Sequence, residues 1–151
     1  MLGIKWWPCE SEDIEILRIA SEKTALIVKA MLESEEYDEF EPGMVVDVVQ
    51  ILPEHFVKYL SDKKCEIVYF LTADVTPEER FVIHRKYDTE KDYTSEFTDE
   101  QMSYHCKYVV ERSKLLKEQC VKYGLQYFET ARDREKIFED CVQFLSDNRR
   151  Q

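Results

Sequence analysis

Residues 80–91 concentrate Arg80, Arg85, Lys86 and Lys91 around His84, in a chain whose formal net charge is -11. Clustered cations are what a grip on anionic groups requires, and this is the local exception to an acidic background. Arg80, His84 and Arg85 fall on nearby turns of one helix. The competing use of such charges is a solvated helix face paired with Glu78, Glu79 or Asp88. The second residue of interest is Asp47, inside the apolar run VVDVVQI. A carboxylate at the C-terminal edge of a buried parallel strand is costly unless it faces a cation, a donor or the crevice where α/β sheets hold ligands. An acid at the rim that meets water satisfies the same pattern.

Other chemistries find less support. The three histidines, His55, His84 and His105, show no HxxxH or HExxH spacing, and the five cysteines form no CxxC pair, so no zinc motif is present. Glu54 and His55 are neighbours on a helix start and face different ways, as do His105 and Cys106, so neither pair suits acid–base or nucleophilic work. The net negative charge opposes sequence-independent binding to nucleic acid or an anionic membrane surface. No apolar run reaches the roughly 20 residues that span a bilayer. Scattered cysteines in odd number, with no secretory leader in front of them, fit a reducing cytoplasmic setting.

These residues need a scaffold, and 151 residues with 44% hydrophobic content allow one domain, residues 1–151, with a real core. Trp6 and Trp7 beside Pro8 suggest an apolar flap. Residues 11–34 carry apolar side chains at helical spacing behind Ser11 as a candidate cap. Pro42-Gly43 marks a turn into a first strand over residues 44–51, apolar on both faces and therefore central and parallel. Pro53 suits the first turn of a helix that runs to about Tyr59. A second buried strand, CEIVYFLTA, begins at Cys65 and leads to Thr76-Pro77-Glu78-Glu79, where cap, proline and capping box agree on a helix start. Thr98 with Gln101 repeats the capping box and opens a helix of about 25 residues ended by Gly124. LQYFET is a short third strand. The last helix spans residues 131–148, with Thr130 as cap and Asp133 as a first-turn acid.

Strands alternating with helices imply a parallel sheet covered on both faces. Several stretches then resemble small P-loop kinases. DVVQILPEHF is similar to their apolar strand, acid and leucine-proline-glutamate helix start. VYFLTADVTPEERFVIHRKY looks like the next strand with the arginine-bearing lid helix, and YGLQYFETARDREKIFEDCVQFL like the last strand, base-contacting loop and final helix. The nearest likenesses are shikimate-kinase-like and 2-phosphoglycerate-kinase-like phosphotransferases. The resemblance implies a three-layer α/β domain of P-loop kinase type with a mainly parallel sheet, N-terminally truncated.

It also implies roles. Asp47 would sit beside metal and substrate, Arg80 and Arg85 would be lid cations that steady transferring phosphates, and Thr130, Arg132 and Asp133 would lie under the adenine. ATP and magnesium are the family's cofactors. The phosphate loop GxxxxGK[ST] is missing, since none of the three glycines, Gly3, Gly43 and Gly124, precedes Lys-Ser or Lys-Thr. The expectation is a fragment or degenerate homologue of an ATP-dependent small-molecule kinase, inactive as this chain, with its first strand upstream of Met1. The alternative is a non-catalytic binding or scaffold protein, able to self-associate through a sheet edge left open by that strand.

Overall fold

The computed structural model describes residues 12–34 and 45–148. Within them five helices of 21, 7, 11, 25 and 15 residues accompany two strands of three residues each. The expected three-layer α/β domain with a mainly parallel sheet is therefore overturned: the protein is mostly helical, and its only described sheet is one parallel pair. The chain divides into two compact units, Met1–Cys65 and Glu66–Gln151.

In the first unit, α1 (Glu12–Leu32) packs on α2 (Pro53–Tyr59). Ser21 and Ala25, one turn apart, are buried. The Ser21 hydroxyl accepts the Leu52 amide at 2.7 Å and meets His55 Nδ1 at 2.6 Å. Leu52 precedes α2 without a side-chain cap of its own, so Ser21 ties the start of α2 to α1. Glu22 receives Lys58 at 3.0 Å and the Tyr59 hydroxyl, and Arg18 reaches Glu54 at 3.3 Å. Leu52, Phe56 and Leu60 fill the space between.

The strand expected over residues 44–51 is absent from the described part of that span. Residues 45–50 form no strand and are all exposed, Val45 at 89% and Val49 at 69%. Valine-rich sequence favours a pleated, half-buried surface, but it forms a strand only where another strand supplies its ladder partners. Asp47 accordingly stands on an exposed segment and not at the edge of a buried sheet.

The second unit is built around β1 (Tyr69–Leu71) and β2 (Tyr127–Glu129), with Tyr69, Leu71 and Cys120 in a core joined by Ile67, Leu116, Leu125 and Tyr127. Both strands are shorter than the sequence suggests, and beyond β1 side chains take over the backbone donors. Ser113 Oγ accepts the Thr72 amide at 3.1 Å, and the Glu129 carboxylate accepts the amides of Ala73 and Asp74 at 2.8 and 2.7 Å.

Local signals held where they were local. Helix α3 (Pro77–Tyr87) starts on a complete Thr76–Glu79 capping box, and α4 (Asp99–Tyr123) on a complete Thr98–Gln101 box. Gly124 ends α4 at φ 66°, a left-handed position that glycine adopts without the Cβ clash of other residues. Helix α5 (Arg134–Asn148) begins later than expected. Thr130 does not cap it, because its amide and hydroxyl both go to the Leu71 carbonyl, at 2.8 and 3.0 Å, and extend the pairing with β1. Asp133 precedes the helix at φ 47°. No helix among the described residues is long and apolar enough to cross a membrane. The Trp6-Trp7 flap, the Ser11 cap and the Pro42-Gly43 turn lie outside the described residues.

Candidate functional site

Helices α3 and α5 follow β1 and β2, so both begin at the C-terminal end of the parallel pair. Arg80 lies in the first turns of α3 and Arg134 opens α5, close enough to lower the Arg80 pKa further once burial has done so. The other groups acting on Arg80 are the Cys106 thiol and the Tyr93 hydroxyl. Among the described residues, no ion pair or side-chain hydrogen bond involves Arg80. A half-buried guanidinium that pairs with no carboxylate among the described residues loses hydration without a Coulombic return, which a bound anion would supply.

Arg85, identical to Arg80 in type and on the same helix, has a different fate. It donates to the Phe97 carbonyl at 2.7 Å and to Asp99 Oδ1 at 3.0 Å, and stands 3.6 Å from Asp88 Oδ2. Its fork ties the end of α3 to the start of α4.

Between these helices lies a cluster of polar groups. Thr94 Oγ1 donates to Asp88 Oδ1 at 2.8 Å, so its single proton is used, and His84 Nε2, 2.9 Å away, must be the donor to it. His84 and His105 rings meet edge to face at 5.8 Å, and Tyr93 and Phe97 pack on His105 at 6.0 Å each. The Tyr93 hydroxyl makes a long contact of 3.4 Å with His105 Nε2. Burial, reinforced by the Arg80 charge, holds both imidazoles below the ordinary histidine range. The Cys106 thiol is fully buried and burial raises its pKa, which makes it a poor nucleophile.

The remaining candidates separate. Arg132 is exposed and lines an open apolar depression with Val75, Glu79, Val82 and Ile83. Thr130 follows β2 and is bonded to the Leu71 carbonyl, Asp133 is exposed, and Asp47 belongs to the first unit. Among the described residues, no three His, Cys, Asp or Glu side chains gather as a metal site would require. Sequence reasoning missed Arg134 and the His84–Thr94–Asp88 chain. The spacing of His84 and Asp88 by one helical turn was the available signal, but nothing local placed Thr94 between them.

Comparison with protein-family models, curated proteins and solved structures returned no match to this chain. The likeness to P-loop kinases therefore rests on the sequence stretches alone.

Proposed function

We propose that this chain is a non-catalytic binding protein that takes a phosphate-bearing small ligand at the start of α3 and α5, in a reducing, cytoplasmic setting. The observation that carries the reading is the Arg80 guanidinium, half-buried with no ion pair or side-chain hydrogen bond among the described residues, its pKa lowered by burial and, to a lesser degree, by the charge of the exposed Arg134. Two helix N-termini at the C-terminal end of a parallel strand pair add partial positive charge to the same region. Phosphate suits this better than carboxylate, since its several oxygens can meet more than one guanidinium group at once. No residue is assigned to move a proton or a phosphoryl group, which separates the reading from a phosphotransferase.

Calorimetric titration with inorganic phosphate, then pyrophosphate, then ATP with and without magnesium tests it. Saturable binding that Arg80→Gln abolishes and Arg85→Gln with an intact fold retains is the expected result. A cooperatively folded chain that binds none of the three overturns the reading, and so does phosphate transfer to water or an alcohol.

A further inference from the structure

The 21 residues of α1 give a helix about 30 Å long, and among the described residues its packing on α2 falls on one side. Ser21 and Ala25 face α2, while Ile16, Ile19, Leu26 and Ile27 stand 57, 48, 45 and 62% exposed. At 100° per residue these four cover the face opposite Ser21 and Ala25, and their spacing follows a heptad with Ile16, Lys23 and Ala30 at a and Ile19 and Leu26 at d. The positions flanking this seam are Glu15, Glu22 and Lys29 on one side and Ala20 and Ile27 on the other. Acids lead and a lysine ends the charged row.

We infer that α1 pairs antiparallel with α1 of a second copy of this chain. In that arrangement a and d positions meet as layers, Ile16 against the partner's Leu26 and Lys23 against the partner's Ile19. Glu15 then lies beside the partner's Lys29, and the two-fold axis repeats the pair, giving two opposite-charge contacts per dimer. Small Ala20 meets itself near the axis and allows close approach. Glu22 also approaches its own copy there, but Lys58 and the Tyr59 hydroxyl already hold its carboxylate toward α2 and keep its pKa low. A parallel pair is disfavoured by the same residues. It stacks Lys23 on Lys23 in the seam and sets Glu15 and Glu22 against Ala20 and Ile27, with no charge to answer them. Among the described residues, Lys29 has a 3.9 Å contact to Glu33 to give up.

Sedimentation equilibrium of the full chain over a concentration series is the test, and a monomer–dimer equilibrium is expected. Ile19→Glu with Ile27→Glu yields a monomer with an unchanged far-ultraviolet circular dichroism spectrum, since both side chains are exposed. Glu15→Lys and Lys29→Glu each weaken self-association about fivefold, because two attractive contacts become repulsive. An equimolar mixture of those two variants recovers the dimer, each supplying the charge the other lacks. A chain that stays monomeric at every concentration overturns the inference, and so does a dimer that survives the double isoleucine substitution or shows no recovery on mixing, as a parallel pair would.

Discussion

Replacing Thr94 by valine keeps the shape of a residue that is 1% exposed and removes only its hydroxyl. Two partners lose by it. Asp88, whose side chain is 7% exposed, loses a donor at 2.8 Å, and its remaining cation, Arg85, stands 3.6 Å away. His84 loses the acceptor for its Nε2 proton. A hydrogen bond to a charged group contributes about 1.5–3 kcal/mol and a neutral one about 1 kcal/mol, while the added methyl recovers somewhat less than 1 kcal/mol. The net loss is about 2–3 kcal/mol. For a unit of this size that lowers the melting temperature by roughly 10–15 °C. Urea denaturation followed by circular dichroism measures it, and a double-mutant cycle with Asp88→Asn isolates the shared term, expected at about 1 kcal/mol or more. A loss below about 0.5 kcal/mol, or a cycle that is additive, refutes the hydrogen-bond chain that links α3 to the loop before α4.

Three further outcomes follow from the same geometry. Ser21→Ala strands the buried Leu52 amide and removes the His55 contact, so the first unit loses about 1–3 kcal/mol, read from urea denaturation of that unit. Glu129→Gln presents an amide group to one of the two backbone donors it now accepts, at Ala73 and Asp74, and destabilises the second unit by about 2 kcal/mol, with faster hydrogen exchange at those two amides. The pH response comes from His84 and His105, both depressed by burial. Arg80, Arg85, Asp88, Asp92 and Tyr93 are the charged or titratable groups around them. The unfolded chain takes up protons at the ordinary histidine value while the folded one does not, so stability is full above about pH 6.5 and falls as the pH drops through it, by about 1.4 kcal/mol for each unit of depression. His84→Gln with His105→Gln flattens that slope in denaturation curves recorded between about pH 7 and pH 5.

What could be read from the sequence divides along the range of the interactions involved. Thr76-Pro77-Glu78-Glu79 and Thr98 with Gln101 declare their helices because cap, acceptor and donor sit within four residues. Gly124 declares the end of α4 for the same reason. Residues 44–51 misled, since their valines record a preference that needs a neighbouring strand to be realised, and neither described strand pairs with residues 45–50. CEIVYFLTA and LQYFET gave the right strands at excessive length; beyond β1 the Thr72, Ala73 and Asp74 amides go to the Ser113 and Glu129 side chains, both distant in sequence from CEIVYFLTA. The candidate site shows the same division. Arg80 and Arg85 are indistinguishable as sequence, and only the distant Phe97 carbonyl and Asp99 reveal that one is occupied. Arg134 had no local signal at all, since its approach to Arg80 depends on the pairing of β1 with β2.

That pairing also orders events in time. Tyr69 meets Tyr127 across about two thirds of the second unit, whereas α3 and α4 are neighbours in sequence and are linked by the Arg85 and Thr94 contacts. Closing so long a loop before its interior is organised is entropically slow, but docking α3 on α4 shortens the span that remains. The helical hairpin therefore assembles first and the three-residue sheet closes last.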